Sequence, residues 1–167
     1  MDIRPARKEE VEELKKLYKE IVIDLHKQGE VNIWYEDYPM NMLDGDQKAG
    51  QLFCFYDHDR LVGAVALTKD FSHRQHFKFN TPEPTIYINR LAVFMEFRGR
   101  GYAHLCMNLI KLWAKDKGYR SVRLMVNHHN APAIASYKRA GMMWTGDKYF
   151  PPLYPAEILL GYEMYLD

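Results

Sequence analysis

Arg98-Gly99-Arg100-Gly101-Tyr102-Ala103 is the stretch on which the fold turns. A β-rich run, Thr85 to Val93, precedes it, and a helical run, Tyr102 to Lys117, follows and stops at Gly118. Two glycines between a strand and a helix let the backbone approach a ligand closely. The first turn of a helix offers unpaired N–H groups and a partial positive charge, which suit a phosphate. Arg98 and Arg100 add planar donors that match phosphate oxygens. A tight turn with two solvated arginines fits the same residues, so the loop alone leaves both readings open.

Working outward, Asp2 to Ala6 reads as a short strand and Lys8 to Gln28 as a helix. Val11, Leu14, Leu17, Ile21, Val22 and Leu25 form that helix's apolar face. Glu9, Glu10, Glu12 and Glu13 fall in its first turns, where they complement the helix dipole. A short helix is expected near Met40 to Lys48. Strands are expected at Gln51 to Tyr56 and Arg60 to Thr68, joined through Asp57-His58-Asp59. The polar stretch Lys69 to Pro84 reads as a long surface loop. Beyond the glycine loop come a strand, Ser121 to Val126, a short helix, Ala131 to Arg139, and strands at Met142 to Phe150 and Glu157 to Leu166. Hairpins mixed with one strand–helix–strand crossover predict a mixed α/β (α+β) sheet. The loop lacks the third glycine and the acidic strand end of a dinucleotide fold.

The chain of 167 residues, 47% apolar and 27% charged, predicts a single globular domain over residues 1–167. A net charge of +1 argues against a nucleic-acid partner. The charge is uneven: Arg98 to Arg139 holds nine Lys/Arg and one acidic residue, while Met1 to Gly50 holds twelve Asp/Glu and eight Lys/Arg. That asymmetry suits one anionic and one cationic ligand. Cys54 and Cys106 have apolar neighbours and read as buried free thiols. Without a leader-like segment or an apolar run of ~18 residues, no membrane association and a cytoplasmic location are expected.

A second string, Asn130-x2-Ala133-x3-Tyr137-x3-Gly141, follows the crossover strand. With the glycine loop it resembles the GCN5-related N-acetyltransferase (GNAT) family, whose loop pattern is Arg/Gln-x-x-Gly-x-Gly/Ala. Ile3-Arg4-Pro5-Ala6, Leu61-Val62-Gly63 and Leu91-Ala92-Val93 extend the likeness over nearly the whole chain. The resemblance implies an acyl-CoA N-acyltransferase fold: a sheet of six to seven strands, about four helices, and two splayed central parallel strands. It implies acetyl-CoA as donor, its pyrophosphate held by backbone N–H groups of Arg98, Gly99, Arg100, Gly101, Tyr102 and Ala103. Leu91, Ala92 and Val93 would pair with the pantetheine amides like an added strand. An N–H near Val93 would polarise the thioester carbonyl. Asn130 would contact the cofactor, and Tyr137 would protonate the departing thiolate.

Many members of that family carry a glutamate on the strand before Leu91, where this chain has Asn89, which cannot accept a proton. Glu83, Glu36, Asp37, His128, His129 and a water relay stay open as the general base. In this fold the segment Glu30 to Leu43 walls the acceptor site. Trp34, Tyr35, Glu36 and Asp37, beside Tyr38, suit an organic cation, with Tyr149, Phe150 and Tyr154 opposite. The expected reaction is acetyl transfer to a primary amine of a small molecule by direct attack, without a metal. A CoA-binding sensor and an acyltransferase for longer acyl-CoA are the alternatives. Monomer and homodimer both stay open.

Overall fold

The structure, a computed structural model, describes residues 1–30, 33–153 and 156–167. Tyr154 and the 31–32 part of the expected acceptor wall lie outside the described residues. The chain divides into two compact units, Met1–Leu67 with Arg90–Cys106 and Thr68–Asn89 with Met107–Asp167. Its elements are β1 (Asp2–Pro5), α1 (Val11–Lys27), α2 (Leu43–Lys48), β2 (Leu52–Asp57), β3 (Arg60–Thr68) and β4 (Thr85–Val93), then α3 (Tyr102–Asp116), β5 (Ser121–Asn127), α4 (Ala131–Arg139), β6 (Met143–Tyr149) and β7 (Leu159–Tyr165). The strands form a seven-stranded mixed sheet in the order β1-β2-β3-β4-β5-β7-β6, the mixed α/β class expected. Strand β4 gives its N-terminal residues to the second unit and its C-terminal residues to the first.

In the first unit, β1, β2 and β3 pair antiparallel, Ile3 facing Phe55 and Phe53 facing Val65. The Phe94 N–H donates to Val62 O at 2.9 Å, tying the end of β4 to β3. Gly63 makes that approach feasible: a Cβ there would stand 2.3 Å from Ala92 O. Helix α1 buries Val11, Leu14, Tyr18, Ile21 and Val22. Tyr18 takes the central place on the stripe where the sequence pattern set Leu17, because its hydroxyl finds a carbonyl acceptor, Arg90 O, at 2.6 Å.

Glu10 does more than complement the helix start: it is 6% exposed and lies in a 3₁₀ turn ahead of α1. It accepts from the Arg4 guanidinium at 2.9 Å, the Arg7 N–H at 2.7 Å and the Tyr56 hydroxyl. Burial alone would raise its carboxyl, but the donors from Tyr56, Arg7 and Arg4 outweigh it and hold it at about 2.

In the second unit, β4 and β5 run parallel with Thr85 opposite Ser121 and Ile88 opposite Leu124. Strand β7 inserts antiparallel beside β5, and β6 pairs with β7. Ile86, Met107, Ile110 and Leu124 are fully buried, each worth about 1.5–3 kcal/mol against exposure. The loop 69–84 is less free than its polarity suggests. Buried Glu163 accepts from the N–H groups of Asn80 and Thr81 and from the Thr81 hydroxyl, at 2.9–3.0 Å. Buried Arg123 donates to Thr81 Oγ1, Thr81 O and Tyr87 Oη. A buried charge needs such partners, and the loop supplies them.

Candidate functional site

The loop 98–103 belongs to the first unit. Gly99 and Gly101 sit at φ +73° and +82°, the left-handed region where a side chain costs about 1–2 kcal/mol. A Cβ at either would meet nothing within 4 Å. The glycines therefore serve backbone conformation rather than packing, and the space over them is open. The first helical bond of α3 runs from Leu105 N–H to Gly101 O at 3.4 Å. Among the described residues no backbone carbonyl takes the N–H groups of Gly99, Arg100 or Gly101. Free amides, an open surface and a helix start fit a pyrophosphate.

The side chains of this stretch have separate duties. Arg98 lies 3.5 Å from Asp24 of α1 and reaches Val93 O at 3.4 Å. Arg100 is exposed and has no ion-pair partner among the described residues. The Tyr102 hydroxyl donates to Asp57 at the end of β2, so only its backbone is free for a ligand. Ala103 is exposed in the first turn of α3.

Just before Leu91, Ala92 and Val93, β4 contains a feature that the sequence reading missed. Arg90 has φ +53°, an uncommon conformation for a residue with a side chain. Its guanidinium forms a two-pronged ion pair with Asp46 of α2, both bonds at 2.9 Å. The two side chains are 9% and 7% exposed. A charged residue inside the apolar run 86–93 was the available signal. Its partner, far along the chain, had none.

The expected acceptor wall resolves into two kinds of residue. Trp34, Tyr35 and Tyr38 are half-buried, with Trp34 5.6 Å from the Tyr18 ring and Tyr35 6.3 Å from Tyr38. Glu36 and Asp37 are exposed, Glu36 at φ +51°. The aromatics anchor the loop, and the acids face solvent.

The second unit carries the other string. Asn130 caps α4, its Oδ1 accepting from Ala133 N–H at 3.4 Å. Its Nδ2 has no partner among the described residues. Tyr137 is half-buried on α4, and burial pushes its hydroxyl up to about 12. Asn89 donates from Nδ2 to Thr68 Oγ1 at 2.8 Å. Glu83, one of the open bases, pairs with Arg123 at 3.0 Å and accepts from Thr85 N–H, which commits both oxygens. The His128 backbone N–H donates to Ile158 O at 2.8 Å, and its ring Nδ1 is buried without a partner among the described residues. His129 is exposed, its N–H capped by Asn127 Oδ1 at 2.9 Å. Buried Cys54 and Cys106 are pushed up to about 12 by desolvation, so neither is a ready nucleophile.

Rings that the sequence did not join also meet in this unit. His76 stacks on Tyr149 at 3.9 Å with an 8° tilt, and His73 lies 5.0 Å from the same ring. Phe71 is 5.8 Å from His73 and 6.3 Å from Tyr87.

Comparison with known proteins gives a consistent result. The Acetyltransferase (GNAT) family profile matches residues 11–142. No curated protein sequence matches the chain significantly. Among solved structures, a GNAT-family acetyltransferase from Streptococcus agalactiae is similar with a TM-score of 0.81 at 18% identity, covering 99% of this chain and 95% of that one. NAA60 of Arabidopsis thaliana, in complex with a bisubstrate analogue, is similar at 0.69 and 19% identity, covering 98% and 96%. A Bacillus anthracis protein described as a streptothricin acetyltransferase, in complex with acetyl coenzyme A, is similar at 0.55 and 19%, covering 70% and 62%.

Proposed function

The chain belongs to the GNAT acetyltransferase family, and on that premise we propose that it moves acetyl from acetyl-CoA to a primary amine of a small molecule. The transfer is direct, within a ternary complex, by one catalytic domain over residues 1–167. The loop 98–103 carries the reading, because its positive-φ glycines leave free amides under open space. Those amides and Arg100 hold the pyrophosphate, and Leu91, Ala92 and Val93 hold the pantetheine arm. Acetyl-CoA supplies the activated acyl group. An N–H near Val93 stabilises the carbonyl oxygen as it gains charge, and Asn130 contributes its unpartnered Nδ2. Trp34, Tyr35, Glu36 and Asp37 line the approach of the amine, the two exposed acids attracting a cation.

Tyr137 faces the sulfur in this reading. A hydroxyl held at about 12 keeps its proton throughout the neutral range. It is a weaker acid than an ordinary thiol, near ~8.5, so full transfer to the thiolate runs uphill. The hydroxyl therefore donates a hydrogen bond as charge grows on sulfur, and passes its proton on only while regaining one. The poor acidity of Cys54 and Cys106 supports attack without a covalent enzyme intermediate. Two free thiols also suit a reducing cytoplasm.

The test is thiol release from acetyl-CoA across a panel of amines, repeated with propionyl- and succinyl-CoA. Amine-dependent release fastest with acetyl-CoA is expected. Saturable CoA binding with no turnover on any amine would make the protein a binding module, and preference for a longer acyl group would revise the donor.

A further inference from the structure

In the first unit, one side chain of α1 meets the segment Leu91-Ala92-Val93 at both of its ends. The ladder of β4 with β5 stops at Ile88 opposite Leu124, and beyond it the strand depends on β3 and α1. At the start of the segment, buried Tyr18 donates its hydroxyl to Arg90 O at 2.6 Å. At its end, the Phe94 ring stands edge-on to the Tyr18 ring, 5.7 Å away at 80°, while the Phe94 N–H is bonded to Val62 O. Arg90 itself has φ +53°. A residue with a side chain keeps such a conformation only where its surroundings hold it. Here the buried fork to Asp46 of α2 holds the guanidinium, and Tyr18 holds the carbonyl.

The same two residues carry aromatics of the expected acceptor wall. The Trp34 ring packs 5.6 Å from the Tyr18 ring at 48°, and the Tyr38 hydroxyl interacts with the Arg90 guanidinium. All of these residues belong to the first unit.

We propose that Tyr18 and Arg90 are positioning residues that set the backbone of 91–93 to receive the pantetheine arm and hold Trp34 and Tyr38 in a fixed relation to it. The inference rests on the acetyl-transfer reading, which assigns 91–93 to that arm and an N–H near Val93 to the thioester carbonyl. Neither residue touches acetyl-CoA; each acts through the backbone that does. Burial pushes the Tyr18 hydroxyl well above its ordinary range, so it stays a donor at neutral pH. Without that hydroxyl, Arg90 loses one of its two holds. The segment can then turn its N–H and C=O groups off the line that an added strand needs.

Tyr18→Phe removes the hydroxyl and keeps the ring. Amide NMR of the unliganded variant should show the Leu91, Ala92 and Val93 signals moved and those of Gly99 and Gly101 in place. Unmoved 91–93 signals would overturn the proposal. Two ligands separate positioning from a general loss of structure: CoA, and 3′-phospho-ADP, which keeps the phosphates and lacks the pantetheine arm. By titration calorimetry the variant should bind CoA about fivefold more weakly, the factor for one net hydrogen bond. It should bind 3′-phospho-ADP within about twofold of the parent. Equal loss on both ligands, or no loss on CoA, would overturn the proposal.

With n-butylamine as acceptor, Tyr18→Phe should lower kcat on the order of 10-fold, because the reacting carbonyl is misplaced. The amine KM should stay within about twofold. Tyr18→Leu, which also takes the ring away from Trp34, should raise that KM. Equal amine KM values in the two variants would overturn the link to the acceptor wall. Failure of the parent to bind CoA, or to acetylate n-butylamine and the rest of the amine panel, would instead sink the acetyl-transfer reading. The amide signals would still decide whether Tyr18 sets the segment 91–93.

Discussion

Replacing Gly101 by alanine and by glutamate separates backbone strain from loss of the ligand. Gly101 is at φ +82°, and a Cβ there meets nothing within 4 Å. Both variants therefore carry the same backbone cost, about 1–2 kcal/mol, and no clash. The alanine side chain leaves the cradle neutral and nearly open. The glutamate carries a negative charge into the space assigned to the pyrophosphate. Two unit charges ~4 Å apart repel by about 4 kcal/mol at an effective dielectric of ~20. Swinging the carboxylate toward solvent halves this, to about 2 kcal/mol, which is a roughly 30-fold loss of affinity. Titration calorimetry with CoA should thus show Gly101→Ala within about fivefold of the parent and Gly101→Glu weaker by roughly 30-fold or more. Thermal unfolding should place the two variants together. Parent-like CoA affinity in Gly101→Glu, or an equal loss in Gly101→Ala, would refute the placement of the pyrophosphate.

Tyr137→Phe should lower kcat on the order of 10²-fold and leave the CoA dissociation constant unchanged; equal loss of both would assign the ring to binding. Glu10 is held at about 2 against an ordinary 4.5, so its contribution is complete above the unfolded value and disappears as pH falls toward 2. That difference amounts to about 3 kcal/mol, and Glu10→Gln should remove it near neutrality while flattening the acid branch of the stability curve measured by urea unfolding. Gly63→Ala forces a Cβ to 2.3 Å from Ala92 O. It should cost about 1–3 kcal/mol and weaken CoA binding by displacing residues 91–93; wild-type stability would show that the two strands can part cheaply.

What the sequence revealed follows from the range of each interaction. Thr85–Val93 and Ala131–Arg139 match their expected limits, because β-branched runs, glycines and an N-capping Asn130 act within a few residues. The tight glycine turn between β4 and α3 was legible for the same reason. Glu10, Arg90 with Asp46, and Glu163 with Thr81 were not, since each pairs with residues remote in sequence. Charged residues in those positions read as solvated until their partners are seen. The site shows the same divide. The glycine loop proposed for the donor is local and its turn was readable, whereas the His73–Tyr149 contact joins a polar loop to the last hairpin. Asn89 was readable as a residue unable to act as base.

Initial rates over a grid of acetyl-CoA and amine concentrations test the central claim most directly. Direct transfer in a ternary complex predicts double-reciprocal lines that intersect, with no CoA released before amine is added. Parallel lines, together with a burst of CoA from enzyme and acetyl-CoA alone, would show an acetylated protein and contradict the account.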